Sequence, residues 1–233
     1  CRVLIPKGSY CITSLFLKSN LRLELAKGAE LIADTDRAAY PKFPGMIESY
    51  DEQGEYNLGT WEGNPLPMFA GIITGLDVEN VLIYGRGTIN GNASKENWWK
   101  NPKVMVGAFR PRLFFLSHCQ NVTLCGVTFK NSPSWTLHPY FSDNLKFYGL
   151  TINNPSDSPN TDGLDPESCK NVDIVGVKFS LGDDCIAVKS GKIYMGKKYR
   201  TPSENIHIRQ CLMENGHGAV TVGSEMAGGV KNL

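Results

Sequence analysis

An asparagine followed by alternating apolar residues recurs along the chain, and this repeat constrains the fold more than any other feature of the sequence. In three copies a glycine stands five positions after the asparagine, and apolar residues follow at the sixth and eighth positions. Alternation with a period of two predicts strands. The change of phase at the glycine predicts a bend between two short strands, because glycine tolerates the backbone angles of a corner. The copies start at Asn80, Asn121, Asn144, Asn171 and Asn205, with a truncated sixth at Asn232.

The length of the repeat discriminates between repeat architectures. From Asn121 to Asn205 the starts lie 23, 27 and 34 residues apart, which is too short for a four-stranded propeller blade and fits one coil of a parallel β-solenoid. Helical periodicity is weak, which disfavours the leucine-rich and βαβ alternatives. We therefore predict an all-β chain that forms a single parallel β-helix domain over residues 1–233. The asparagines are expected to stack as a ladder, at the strand spacing of roughly 4.8 Å.

Two stretches lie outside the clear repeats. Residues 4–31 also alternate and are predicted to form the first coils, whereas residues 34–70, rich in proline, glycine and aromatic residues, predict an irregular loop excursion that could wall a cleft. Asn121 also opens a glycosylation sequon, but we favour its role in the ladder. The chain starts without methionine or a signal peptide and ends on a sequence like the start of another repeat, so we interpret it as a fragment truncated at both ends.

Composition excludes several classes of partner. Lysine and arginine total 24 against 23 acidic residues, so no overall charge attracts nucleic acid or a membrane surface, and no apolar run is long enough to span a bilayer. The seven cysteines lack CxxC spacing, which argues against a zinc site and a dense disulfide scaffold. We expect a monomer. The compartment stays open, with a secreted or periplasmic location slightly favoured.

Aligning the coils brings four ionisable residues to one place. Counting back from the turns puts Asp162 under Asp184 in one row and Asp183 under His217 in the neighbouring row. Aspartate next to glycine is also typical of turns, but a structural turn would not stack like charges at strand spacing. Asp183 and Asp184 can reach the same side only if a turn or bulge at Gly182 breaks the pleat. Two apolar rows on the following strand are expected to be core: Leu137, Leu164, Ile186 and Val220, and Pro139, Pro166, Val188 and Val222.

Three short motifs contain these residues, and with them the chain resembles glycoside hydrolase family 28, the polygalacturonases. The motifs are Asn160-Thr-Asp-Gly163, Gly182-Asp-Asp-Cys185 and Gly216-His-Gly218. The resemblance implies a right-handed parallel β-helix that cleaves α-linked galacturonic acid or rhamnogalacturonan chains of pectin by hydrolysis with inversion, without metal or cofactor. The family's Arg-x-Lys motif and tyrosine, which grip the substrate carboxylate, would lie beyond Leu233.

The resemblance also implies a role for each of the four residues. Asp183 would be the general acid, Asp162 and Asp184 would hold and deprotonate the attacking water, and His217 would assist near Asp183. Inverting enzymes typically separate acid and base by roughly 6.5 to 9.5 Å. Because neighbouring carboxylates raise one another's pKa, Asp183 is expected to stay protonated beside ionised Asp162 and Asp184.

Further residues are candidates for substrate binding. Trp135 precedes Asp162 by one coil and could support a sugar ring or pack in the core. His138 and Lys189 fall on the outward phase of their strands, so they are expected either to touch substrate or to be solvated, and Asn160 is predicted to bind substrate as part of its motif. The basic insert over residues 192–203, which starts at Lys192, could grip a carboxylate or be a solvated loop. The long coil between Asp184 and His217, which contains this insert, and the excursion over residues 34–70 could close one end of the cleft and favour exo action.

Two other functions are compatible with the same pattern. Clustered aspartates could bind calcium in a polyuronate lyase, in which an arginine or lysine abstracts a proton. The solenoid could also be a carbohydrate-binding or adhesion module without catalysis. Hydrolysis on pectic oligo- or polysaccharide is the favoured prediction.

Overall fold

Three parallel sheets run along the axis of a single coiled chain in the computed structural model, which describes residues 1–45 and 58–233. A coil typically contributes one strand to each sheet and pairs with the preceding and following coils; the coil that starts at Asp143–Tyr148 contributes only isolated bridges to the third sheet. Sheet A has the strands Arg2–Ile5, Arg22–Leu25, Glu79–Gly85, Gln120–Cys125, Asp143–Tyr148, Lys170–Val175, Ser203–Arg209 and Val230–Lys231. Sheet B has Gly8–Ile12, Ala29–Ala33, Thr88–Asn90, Thr128–Lys130, Thr151–Asn153, Lys178–Ser180 and Leu212–Asn215. The prediction of an all-β, right-handed parallel β-helix is confirmed.

Sheet C is the shortest and carries the site. Its strands are Leu15–Phe16, Ile73–Leu76, Phe114–Ser117 and Leu137–Tyr140, continued by isolated bridges to the pair Ile186–Val188 and Val220–Val222. The core fills the space between the sheets with the inward residues of each repeat, such as Leu124 and Phe129, which are fully buried. This burial agrees with the period-two pattern from which the strands were predicted.

The repeat asparagines form the predicted ladder. Asn144 Nδ2 donates to Asn121 Oδ1 at 2.7 Å, and Asn121 Nδ2 donates to Asn80 Oδ1 at 3.1 Å. The ladder is interrupted at Asn171, whose amide donates to Asp143 instead. All the asparagines that start a repeat adopt positive φ between 52° and 57°, a conformation that asparagine tolerates better than most residues.

The predicted bend after the first strand of each coil is also present. Gly126, Gly149 and Gly176, at the fifth position of the repeat, adopt φ of 75°, 58° and 67°. Gln210 stands at the same position in the next coil and takes a φ of 55° without the freedom of glycine. The corner is therefore imposed by the stacking of neighbouring coils as well as by the local sequence.

Two segments depart from the coil. The excursion over residues 34–70 includes a 3-10 helix, Arg37–Ala39, and an antiparallel pair, Lys42–Phe43 with Met68–Phe69; residues 46–57 of that predicted excursion lie outside the described part. The basic insert contains the α-helix Ile193–Tyr199, which the sequence did not predict. That helix has seven residues, and in the described part of the chain no helix is long and apolar enough to cross a membrane. All seven cysteines lie in this part and are unpaired.

Candidate active site

The predicted rows on sheet C are the frame of the site. Parallel pairing connects Leu137 to Leu164, Leu164 to Ile186, and Ile186 to Val220. The first three members of this row are fully buried, as expected for core. Val220 and Val222 are not: they are 42% and 44% exposed, because among the described residues the strand Val220–Val222 pairs on one side only. The prediction that these two valines are core is therefore wrong for this chain.

Three carboxylates meet at the start of the sheet C strands, and we call Asp162, Asp183 and Asp184 the carboxylate trio. One oxygen of each lies within 4.8 Å of the others. A bend at Gly182 and Asp183 breaks the pleat, so both aspartates of the pair line the same cavity. A Cβ at position 182 would lie 2.3 Å from the carbonyl oxygen of Ser158, so only glycine fits there.

His217 lies beside Asp183, as the stacking predicted. Its backbone N–H donates to the carbonyl oxygen of Asp183 at 2.7 Å, and its ring Nδ1 lies 3.3 Å from Asp183 Oδ1. The imidazole is 70% exposed. Asp183 Oδ1 also accepts from the backbone N–H of Asp184 at 3.0 Å, which fixes its orientation at the bend.

Asp162 is the most buried member of the trio, at 4% exposure. Burial raises its pKa to about 7; the charges of Asp183 and Asp184 act in the same direction, and Lys189 opposes them. The expectation that Asp162 stays ionised therefore requires groups that offset the burial penalty, and Lys189 is one of them. The family resemblance predicts which residues act, but it does not predict how deeply each one is buried.

Lys189 is buried at 3% exposure, although its outward phase had suggested contact with substrate or solvent. Its Nζ lies 2.8 Å from Glu225 Oε2, 3.7 Å from Asp165 Oδ1 and 3.9 Å from Asp162 Oδ2. Burial acts to lower the pKa of Lys189, but these three carboxylates together raise it above its usual value. The ammonium group lines the cavity and is therefore a charged part of its floor.

His138 is fully buried and does not line the cavity, so the predicted contact with substrate disagrees with its position. Its Nδ1 accepts from Arg112 Nε at 3.3 Å, and its Nε2 lies 2.8 Å from Glu167 Oε2. Burial, reinforced by the charges of Arg112 and Lys189, lowers the pKa of His138 well below its usual value. The neutral ring therefore donates from Nε2 to Glu167.

Trp135 and Asn160 both reach the cavity, but each is also held from behind. Trp135 is buried, with Arg112 4.3 Å and Lys189 4.5 Å from the centre of its ring. Asn160 has a positive φ of 55°, and its Oδ1 accepts from Arg110 Nη2 at 2.6 Å. Sequence reasoning missed both arginines, since nothing in the spacing marks a buried cation that lies under a cleft.

The cavity has a volume of about 260 Å³ and is strongly acidic. Lys192, a member of the basic insert, reaches its rim, and Lys192 Nζ lies 3.8 Å from Glu62 Oε2. Oxygen atoms at the spacing of the trio could hold a divalent cation, but clustered acids alone do not define such a site, and we assign no metal to them because Lys189 already provides a positive charge beside Asp162. The residues that line the cavity are Glu62, Trp135, Asn160, Asp162, Asp183, Asp184, Lys189, Lys192, Ser224 and Glu225.

Several known proteins are similar to this chain in both sequence and architecture. Residues 53–233 match the family described as glycosyl hydrolases family 28. A probable polygalacturonase from Vitis vinifera is 33% identical over 98% of this chain and 45% of its own length, and an endo-polygalacturonase from Pectobacterium carotovorum subsp. carotovorum is 33% identical over 92% of this chain and 51% of its own. The crystal structure of an exopolygalacturonase from Thermotoga maritima has a TM-score of 0.83 and 30% identity, covering 99% of this chain and 56% of that one.

The chain thus spans about half the length of these relatives. The match nevertheless includes all three motifs and the sheet on which they lie. The chain belongs to glycosyl hydrolases family 28.

Proposed function

We propose that the intact protein hydrolyses α-linked galacturonic acid chains of pectin, with inversion at the anomeric carbon. The observation that carries this proposal is the carboxylate trio at one end of sheet C, with His217 against Asp183 and a cavity large enough for a sugar unit between them. Family membership supports the same reaction class, since the relatives are named polygalacturonases.

The geometry suggests a division of labour within the trio. Asp183 is the accessible carboxyl beside an exposed imidazole, so it can protonate the glycosidic oxygen and regain a proton from solvent. Asp162 and Asp184, stacked in adjacent coils, hold the attacking water and accept its proton as the bond between the anomeric carbon and the glycosidic oxygen breaks. This assignment keeps acid and base on different side chains, as hydrolysis by a single displacement requires.

The spacing of the carboxylates does not by itself support inversion. Oxygens within 4.8 Å are closer than the roughly 6.5 to 9.5 Å typical of inverting enzymes. Inversion is therefore proposed from the family resemblance and from the burial of Asp162 against Lys189, which disfavours its use as a nucleophile. Proton NMR of the first-formed product tests it: inversion yields the β-anomer, and an initial α-anomer would contradict it.

We also propose exo action. The two segments predicted to close the cleft meet at its rim: the backbone N–H of Lys192 donates to the carbonyl oxygen of Gly63 at 2.9 Å, and the side chain of Lys192 faces Glu62. A cleft that ends at such a contact accepts the end of a chain more readily than its middle.

Replacing Asp183 tests the central assignment. In the intact protein, Asp183→Asn should lower kcat on oligogalacturonides by at least about 100-fold with little change in KM, because it removes the acid from the transition state. Release of reducing ends is the measurement.

Asp173→Asn is the matched control, because Asp173 also faces a histidine, with His207 Nδ1 3.2 Å away, but on sheet A and outside the cavity. Undiminished hydrolysis by Asp183→Asn would refute its role as the acid. Calcium-dependent products that absorb in the ultraviolet would indicate a lyase instead, and binding of pectic sugars without any release of reducing ends would indicate a non-catalytic module.

A further inference from the structure

A further carboxyl group, that of Asp165, lies beside the trio without a hydrogen-bond donor. Both oxygens of Asp165 and Oδ1 of Asp162 are buried and lack a donor partner among the described residues. Asp165 is fully buried. A buried polar atom without a partner is costly, so two such groups side by side call for a physical explanation.

The buried charges around Asp165 do not balance if every carboxyl group is ionised. Lys189, Arg112 and Arg110 are buried cations; burial lowers the pKa of Arg112 only to about 10 and that of Arg110 to about 9, so both stay protonated at neutral pH. Three buried cations face four buried carboxyl groups. Because uncompensated buried charge is strongly unfavourable, at least one of the four buried carboxyl groups must hold a proton. The four are those of Asp162, Asp165, Glu167 and Glu225.

Hydrogen bonding identifies which group that is. Glu225 accepts from Lys189 Nζ and from Ser224 Oγ, both at 2.8 Å, and is thereby stabilised as a carboxylate. Glu167 Oε2 faces the Nε2 of His138 at 2.8 Å. Lys189 is 3.7 Å from Asp165, which is beyond hydrogen-bonding distance. Among the four, Asp165 alone has both side-chain oxygens buried without a donor; only one oxygen each of Asp162 and Glu167 is in that condition.

A proton on Asp165 satisfies both orphaned groups at once. Asp165 Oδ1 and Asp162 Oδ2 lie 3.7 Å and 3.9 Å from the same atom, Lys189 Nζ, and the two carboxyl groups interact directly, so a neutral Asp165 can donate to the carboxylate of Asp162. We propose that Asp165 is a positioning residue, a buried carboxylic acid that donates a hydrogen bond to Asp162 and thereby keeps that carboxylate ionised and oriented toward the attacking water. The functional half of this inference rests on the proposed function; the location of the proton does not.

The electrostatic surroundings agree with this assignment. Burial raises the pKa of Asp165 well above its usual value, the charge of Asp162 adds to the effect, and Lys189 and Arg112 oppose it. Lys189 and the more distant Arg110 and Arg112 favour the ionised form of Asp162, whereas Asp183 and Asp184 disfavour it. A hydrogen bond donated to the ionised form of Asp162 assists Lys189 in holding the charge.

Infrared spectroscopy of the intact protein tests where the proton lies, without reference to activity. At neutral pH, Asp165→Asn should remove one protonated-carboxyl C=O band from the difference spectrum against wild type. Asp157→Asn is the control, because Asp157 is exposed and paired with Lys95 at the surface, and it should remove none. A spectrum unchanged by Asp165→Asn would overturn the proposal.

Kinetics test the positioning role. Asparagine still offers N–H donors, so Asp165→Asn should retain hydrolysis and the acid limb of the kcat/KM profile should not move. Asp165→Leu removes the donor, so the acid limb should move up by about one pH unit, because Asp162 must be ionised to accept a proton.

If Asp165 were ionised in the wild type, Asp165→Asn would remove a negative charge and move the limb to lower pH, which would overturn the proposal. Should the intact protein not hydrolyse pectin at all, the infrared result still decides the protonation state.

Discussion

Two lysines line the cavity, and Lys192 is the one whose side chain is exposed to solvent. Its side chain is 42% exposed, whereas Lys189 is held by three carboxylates and is almost fully buried. The cavity is otherwise acidic and would repel a uronate substrate. A flexible ammonium group 3.8 Å from Glu62, beyond hydrogen-bonding distance, can turn toward a substrate carboxylate at little cost.

We predict that Lys192→Met raises KM on oligogalacturonides in the intact protein by about tenfold, the loss expected for one partly exposed charge-assisted hydrogen bond, and leaves kcat less affected. Lys197→Met is the matched control, because Lys197 lies in the same insert but is exposed and outside the cavity. Initial rates over a range of substrate concentrations provide the measurement. Equal KM values for the two variants would show that Lys192 does not bind the substrate.

At the scale of single residues, the sequence predicted where the side chains lie better than it predicted what surrounds them. Stacking the repeats brought Asp162, Asp183, Asp184 and His217 together, and the structure has the same rows. Alternation shows which face of a strand a side chain takes, but it does not show whether another segment covers that face. His138 is buried for that reason, since Phe43 of the excursion packs on Phe115, whose ring lies against that of His138.

At the scale of the coil, the asparagine at the start of each repeat combines two functions. Asn121 accepts from Asn144 and donates to Asn80, and its backbone has a φ of 55°. The sequence predicted the hydrogen-bonded ladder. It did not predict the left-handed backbone, which asparagine and glycine tolerate at a lower cost than other residues.

Two substitutions separate these contributions. Asn121→Ala should lower the free energy of unfolding by about 2 kcal/mol, because it removes two side-chain hydrogen bonds and strains the backbone. Asn121→Gly should cost about 1 kcal/mol, since glycine keeps the left-handed conformation and loses only the ladder. Urea denaturation followed by circular dichroism provides both values. Equal losses for alanine and glycine would mean that the backbone conformation is not a constraint at this position.

The helix Ile193–Tyr199 shows where element prediction failed. The basic insert has only seven helical residues, too few for a periodic pattern to stand out. The helix is held by tertiary contacts, with Met195 buried in a cluster that includes Phe43 and Tyr140. The segment that precedes it matters more for function, because it brings Lys192 to the rim of the cavity.

For the molecule as a whole, the open side of sheet C becomes a cleft where two segments distant in sequence meet. Gly63 approaches Lys192 so closely that a Cβ on the glycine would lie 2.7 Å from the backbone nitrogen of Lys192 and 2.7 Å from Glu225 Cγ. Its φ of 70° adds a second reason for glycine at this position. The coiled frame could be predicted from its local repeats, but this contact could not, because neither loop carries a periodic signal.

Breaking that contact tests whether the loops set the mode of attack. Chromatography of early products from polygalacturonate should show monomer alone for the intact wild-type protein, since the closed end admits one chain terminus. Gly63→Val should force the loop away from Lys192 and release a spread of oligomers, because a chain can then pass through the cleft. Gly107→Val is the matched control: it has a similar φ of 76°, but its neighbour is the flexible end of Lys42, away from the cavity. Oligomers from the wild type at the earliest times would refute exo action, and monomer alone from a folded Gly63→Val variant would mean that the contact between Gly63 and Lys192 does not close the cleft.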